Sequence, residues 1–168
     1  AGRMVYAKGV DTLVEAFKIF AQKNSDWKLL LVGDGEELPT IKDKIKEYGL
    51  EKRILTPGKT SDIKKYFLQS SVLLLPSRWE GMPMIVLESL EMGCPIVAFD
   101  IDAMRPLVTN GIEGLIVKEK QDANAYAQAM LKIAESEDLR KQMHQAALQK
   151  ANQFSVGKIM SEWKKILK

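Results

Sequence analysis

Two carboxylates carry the chemistry that this sequence offers. Glu80 and Glu88 enclose seven residues in the stretch Ser77-Arg78-Trp79-Glu80-Gly81-Met82-Pro83-Met84-Ile85-Val86-Leu87-Glu88, which runs on to Gly93-Cys94-Pro95. The apolar run Ser71 to Leu75 before it has the length of a buried strand. Pro83 suits the first turn of a helix, where its missing N–H costs nothing, and Gly93 and Pro95 make a helix stop. The segment therefore reads strand, loop, helix, with Glu80 in the loop and Glu88 inside the helix. Unpaired amides and the positive dipole end of a helix favour an anion, most simply a phosphate. Glu88 falls about 7–8 Å along the helix from Pro83 at the standard rise. A ligand with a central phosphate and hydroxyls at both ends could touch both carboxylates, and a nucleotide-sugar has that layout. Pro83 cannot donate, so the amides of Met82, Met84 and Ile85, beside Gly81, would have to hold the anion.

The elements that must position this stretch alternate along the chain. Val10, Leu13, Val14, Phe17 and Phe20 share one helical face, with Asp11 in the first turn, where the dipole favours it. Trp27 to Val32 reads as a strand covered on both faces. Leu38 to Tyr48 reads as a helix, Arg53 to Leu55 as a strand, and Asp62 to Gln69 as a short helix capped by Ser61. Strands are expected at Pro95 to Phe99 and Leu115 to Val117, then helices at 123–134, 137–152 and 156–167. This alternation predicts a Rossmann-like α/β domain, a parallel sheet with helices on both faces. Ala1-Gly2-Arg3 reads as the tail of a strand whose beginning is missing, so the chain is expected to be part of a longer one.

In open α/β sheets, ligands sit outside the carboxyl ends of the strands. Gly2-Arg3 through Lys8-Gly9, Gly33-Asp34-Gly35, Pro57-Gly58-Lys59, Ser77 to Met82, and Asp100-Ile101-Asp102 all fall on that rim. Arg3 and Lys8 are the cations placed to meet a diphosphate there, Arg by a bidentate grip and Lys as a point charge. Ordinary surface charge is the plainer reading of the pair. Gly33-Asp34-Gly35 lacks the third glycine of a dinucleotide loop, leaving a tight turn or backbone contact with a ligand. Gly58-Lys59 says only that there is a turn. Asp100 and Asp102 could cap a helix or, less readily, hold a metal. His144, the one histidine, is expected to face solvent, and Ser77 has no histidine arranged for a triad.

The setting Pro-Ser-Arg-x-Glu-Gly-x-Pro…Glu…Gly-x-Pro resembles the signature of retaining glycosyltransferase family 4, and Gly2-Arg3 with Lys8-Gly9 is similar to that family's diphosphate-binding pair. The resemblance spans nearly all of residues 1–168. It implies the donor-binding C-terminal half of a GT-B enzyme, with 155–168 as a terminal helix crossing back toward an N-terminal domain that binds the acceptor and is absent here. It implies that Glu80 faces the donor sugar and Glu88 the ribose. Arg3 and Lys8 would stabilise the leaving diphosphate, with Gly33, Gly58 and Lys59 near the donor. The reaction implied is transfer of a hexose from a nucleotide-sugar, a UDP-sugar first, to a glycan, lipid or other acceptor, as in polysaccharide biosynthesis. No cofactor or metal is required in this picture, because the nucleotide-sugar is a substrate. The whole enzyme is expected in the cytoplasm, peripherally associated with the inner membrane face. A nucleotide-sugar epimerase of the same layout and a nucleotide-sensing module remain open. Hydrolysis ranks lower, because nothing in the sequence isolates Glu80 in an apolar pocket.

Composition agrees with a single soluble-type domain: 168 residues, 46% hydrophobic, 28% charged, net charge +3. No polybasic tail or base-stacking aromatic pattern points to nucleic acid. Cys94, the one cysteine, excludes an internal disulfide and is expected to be a small buried filler. Ile159, Met160, Trp163, Ile166 and Leu167 form an apolar stripe at helical spacing, either packed on this domain or left to face a partner.

Overall fold

The computed structural model describes residues 1–167. Strands and helices alternate as the periodicities require. The strands are β1 (Gly2–Arg3), β2 (Leu29–Asp34), β3 (Ile54–Gly58), β4 (Leu73–Leu75), β5 (Ile96–Phe99) and β6 (Gly114–Val117). The helices are α1 (Val10–Lys23), α2 (Leu38–Glu47), α3 (Lys64–Phe67), α4 (Met84–Glu91), α5 (Ala123–Glu135), α6 (Glu137–Ala151) and α7 (Val156–Ile166). All pairings are parallel, in two three-stranded sheets ordered β1-β2-β3 and β4-β5-β6.

The expected parallel arrangement with helices on both faces is built as two half-sheets. The two residues of β1 pair with Gly33 and Asp34 at the top of β2, too short a strand to join β2 to β4. Below them a cavity of about 600 Å³ lies between the β2 and β4 edges, lined by Leu13, Phe17, Phe20, Leu31, Leu73 and Met130 among others.

Helix packing holds the halves together. Strand β5 shows why its sequence is apolar throughout: Val97 and Phe99 belong to the core beneath α1 and α5, whereas Ile96 and Ala98 belong to the core beneath α4 and α6. Side chains alternate across a strand, so a strand covered on both faces has no polar position. On the first face, Phe17 and Phe20 of α1 are buried with Tyr126, Met130 and Ile133 of α5. Each such side chain contributes roughly 1.5–3 kcal/mol by leaving water. Tyr126 stacks on Phe99 with ring centroids 4.8 Å apart, and its hydroxyl donates to the Val97 carbonyl at 2.7 Å. That bond ties α5 to the strand beneath it.

Several expectations need correction. Ser61 does not cap α3; Thr60 does the local work, its Oγ1 accepting from the Asp62 amide at 3.0 Å, and the helix begins only at Lys64. Pro83 stands just before α4 rather than in its first turn. His144 is exposed as expected, yet its Nδ1 lies 2.7 Å from the Gly93 carbonyl at the end of α4. Cys94 is buried, and desolvation pushes its thiol up to about 11, which suits a filler and not a nucleophile. Helix α7 buries none of its described residues: Trp163 is 55% and Ile166 78% exposed, so the stripe lacks a cover on this domain. Lys168, at the end of the expected terminal helix, lies outside the described residues.

Tyr126→Phe removes the donor to Val97 and leaves ring packing in place. The expected cost is about 1–3 kcal/mol, read as a lower urea midpoint at unchanged slope.

Candidate functional site

The site forms where the loop after β1 meets the loop after β4. After β1 the chain makes a single 3₁₀ turn, Tyr6–Lys8, stopped by Gly9 in the left-handed conformation (φ 60°). Gly9 lies so close to the Pro76 carbonyl that a Cβ there would collide with it. Only glycine allows both the backbone sign and the approach. With the loops in contact, the Arg78 amide donates to the Ala7 carbonyl at 2.9 Å. The Arg78 guanidinium grips Asp11 with two bonds, 3.0 and 2.8 Å, and also donates to the Tyr6 carbonyl at 2.6 Å. It lies 4.0 Å over the Tyr6 ring, whose other neighbour is Trp79 at 5.9 Å between centroids. One arginine thus clamps the first turn of α1 to the loop of the glutamate motif.

Beside that clamp, Lys8 Nζ donates to both oxygens of Glu80, at 2.6 Å to Oε1 and 2.7 Å to Oε2. Ser77 Oγ donates to Oε1 at 2.7 Å. The Glu80 side chain is only 8% exposed and that of Lys8 29%. An ion pair this sheltered loses much hydration on forming, so removing either partner leaves a costly unpaired charge.

The rest of the rim is more open. Glu88 is half-buried on α4, and its carboxylate has no protein partner among the described residues. Arg3 is exposed and also unpaired among them. Lys59 reaches Asp34 at 3.3 Å, joining the β2 and β3 loops beside Gly58. The Gly35 amide, first, and Lys59, second, hold the Asp34 carboxyl below the usual range. Gly33, at φ 141°, passes so close to Gly2 that a Cβ would strike its backbone, which makes packing against β1 the reason for this glycine. Gly81 has open space around it. Asp100 and Asp102 both face Arg105, at 3.7 and 3.1 Å, and no group of three or more His, Cys, Asp or Glu fit to hold a metal occurs among the described residues.

At the mouth of α4 one expected donor is already engaged. Pro83 (φ −78°, ψ 86°) makes a tight turn, in which the Met84 amide donates to the Met82 carbonyl at 3.0 Å. The amides of Met82 and Ile85 have no backbone partner among the described residues, so two of the three expected donors stay unengaged.

The chain matches the family described as "Glycosyl transferases group 1" over residues 1–150. It belongs to that family. Among curated relatives it is 34% identical over 168 residues to the amylovoran biosynthesis glycosyltransferase AmsD of Erwinia amylovora, covering 99% of this chain and 46% of AmsD. S. aureus TarM, solved in complex with fondaparinux, α-GlcNAc-glycerol and UDP, superposes with a TM-score of 0.90 at 23% identity, over 98% of this chain and 34% of TarM. The C-terminal domain of the Francisella tularensis group 1 family protein LpcC gives 0.84 at 21% identity, over 93% of this chain and 84% of that domain. The group 1 domain described here therefore has the fold of one half of a GT-B enzyme. It spans about half the length of the curated relatives it matches most extensively.

Sequence reasoning placed Glu80, Lys8, Glu88 and Arg3 on one rim but missed the residues that hold them. Asp11 reads from its position as a dipole-favoured residue, and nothing in its spacing shows that Arg78, 67 positions on, closes over it. Ser77 draws notice only as an unsuitable nucleophile. Its signal was its place inside the motif, three residues before Glu80.

Desolvation raises the Asp11 pKa, but the Arg78 hydrogen bond and charge outweigh it and hold the carboxyl below its ordinary value. A carboxyl depressed in the folded state stabilises fully above its unfolded pKa of about 4, and that gain fades as pH falls through the folded value. Asp11→Asn is expected to cost about 1–2 kcal/mol at pH 7, the lower part of the range because Asp11 is partly exposed. The difference from wild type should shrink below pH 4, measured by urea unfolding across pH 3–7.

Proposed function

We propose that this group 1 domain is the donor-binding half of a retaining glycosyltransferase that moves a hexose from a nucleotide-sugar, a UDP-sugar first, to an acceptor. The observation that carries the reading is the part-buried Lys8–Glu80 pair in the loop before α4, together with Glu88 on α4 and Arg3 at the end of β1, both unpartnered among the described residues. Glu80 meets the sugar, Glu88 the ribose, and Arg3 with the Met82 and Ile85 amides the diphosphate. An ammonium has three protons, so Lys8 can keep both bonds to Glu80 and still offer one to a phosphate oxygen. Charge gathers on the diphosphate as the glycosidic bond to it breaks. Fixed cations and amides already aimed at that charge lower the barrier without reorganising. Gly33, Gly58 and Lys59 lie along the same rim, where the nucleoside would run.

Two names among the similar proteins support the reading: the TarM complex contains UDP, and AmsD is named for amylovoran biosynthesis. The acceptor, a glycan or lipid of cell-surface polysaccharide or glycolipid synthesis, is bound by a separate N-terminal domain. The uncovered stripe of α7, within the crossover helix 155–168, is the face that would return to it. No metal or cofactor enters this chemistry, since the donor is a substrate. Cytoplasmic location and peripheral attachment at the inner membrane face belong to the same proposal. No described helix is long and apolar enough to cross a membrane.

Calorimetric titration with UDP and UDP-sugars tests the assignment. Glu88→Gln should weaken both ligands by similar factors, on the order of 10- to 150-fold for a charged hydrogen bond. Glu80→Gln should leave UDP nearly unchanged and cut affinity for the sugar-bearing form. Equal losses for both ligands in the Glu80 variant would reverse the roles. The isolated chain should bind donor yet transfer no sugar, and robust turnover would overturn the half-enzyme reading.

A further inference from the structure

We infer that Ser77 is a positioning residue that leaves Glu80 a single open acceptor site, on Oε2, so that the carboxylate reads one hydroxyl of the donor sugar. The inference rests on the proposed donor-binding reading and adds to it what sets the sugar preference.

The argument is a count of lone pairs. An ionised carboxylate offers about four acceptor positions, two on each oxygen. Oε1 of Glu80 accepts from Lys8 Nζ at 2.6 Å and from Ser77 Oγ at 2.7 Å, and is therefore filled. Oε2 accepts from Lys8 at 2.7 Å and keeps one position. With its side chain 8% exposed, Glu80 has little water to compete for that position. A hydroxyl arriving there forms a charge-assisted bond, and a second one has nowhere to go.

The filling of Oε1 falls to Ser77. The last torsion of a glutamate is broad and roughly two-fold, and Lys8, bonded almost evenly to both oxygens, does not distinguish one from the other. The Ser77 hydroxyl marks one oxygen. Ser77 is itself 1% exposed, next to Arg78, whose amide is bound to Ala7 and whose guanidinium is bound to Asp11. On the Lys8 side, the contact between Gly9 and Pro76 sets the approach of the loop. The open lone pair on Oε2 is thus aimed by side chains that are themselves held in place. Ser77 spends its one proton on Oε1 and is itself closed off from solvent, so its role is orientation and not contact with the sugar.

The test uses the 168-residue chain, UDP, and the tightest binder among UDP-glucose, UDP-galactose and UDP-N-acetylglucosamine. Analogues of that ligand, each with one sugar hydroxyl replaced by hydrogen, complete the set. Calorimetry should show one position whose removal costs about 10-fold or more, the low end expected of a charged hydrogen bond, with only small losses elsewhere. Ser77→Ala should leave UDP affinity within 2-fold of wild type, which also reports that the variant is folded. It should weaken the intact UDP-sugar several-fold and flatten the difference between the deoxy positions. Wild-type losses shared equally by two or more hydroxyls, and abolished in Glu80→Gln, would overturn the single-acceptor inference, and that arm needs no Ser77 variant to fold. Undiminished discrimination in Ser77→Ala would overturn the positioning role. A wild-type chain that binds UDP and the UDP-sugars with one affinity would instead overturn the reading of Glu80 as the sugar contact, and this inference with it.

Discussion

The architecture of the site depends on one close approach, the backbone of Gly9 against the carbonyl of Pro76. It sets the loop after β1 on the loop after β4, although 67 residues separate them. Two ion pairs then become geometrically available, Lys8 with Glu80 and Arg78 with Asp11. Neither would justify the desolvation of its charges if the loops moved freely, because a buried pair needs good geometry to repay lost hydration. The glycine supplies that geometry in advance, and the pairs in turn hold the loops together. At the α4 mouth the amides of Met82 and Ile85 have no backbone partner among the described residues, whereas the turn at Pro83 engages the Met84 amide with Met82.

The two half-sheets explain why these contacts matter to the fold as well as to the ligand. Strand β1 pairs with β2 alone, so no described backbone pairing joins the β1-β2-β3 sheet to the β4-β5-β6 sheet. The connection is made by the packing of α1 on α5 below and by the loop clamp above, with the apolar cavity between them. A ligand on the proposed rim would touch loops from both sheets. Its binding energy would then be coupled to the relation of the halves, at the carboxyl edge where open α/β sheets take their ligands.

Partner selection within the rim follows from how completely each charge is already used. Glu80, Lys8, Arg78 and Asp11 are engaged with one another and form a fixed electrostatic floor. Glu88 and Arg3 are unpaired among the described residues, as the proposed ligand contacts require. The difference lies in neighbours and not in residue type.

The sequence by itself determined the α/β class, the order of strands and helices, and the rim on which the glutamates fall. Those follow from local periodicity and from Gly and Pro at element ends, which need no knowledge of distant contacts. It also located the pair Glu80 and Glu88, because a loop and the helix that follows it are contiguous. Tertiary structure alone decided that Asp11 faces Arg78, that Ser77 addresses one oxygen of Glu80, and that the Met84 amide is spent on its own turn. It decided too that the strands form two sheets and that α7 stays uncovered. Apart from Ser77, only three residues from Glu80, the deciding fact is a separation in space between groups far apart in the chain, or a backbone angle at a single proline. Hydrogen bonds and ion pairs depend on tenths of an ångström, whereas composition and spacing report only which face of which element a residue occupies.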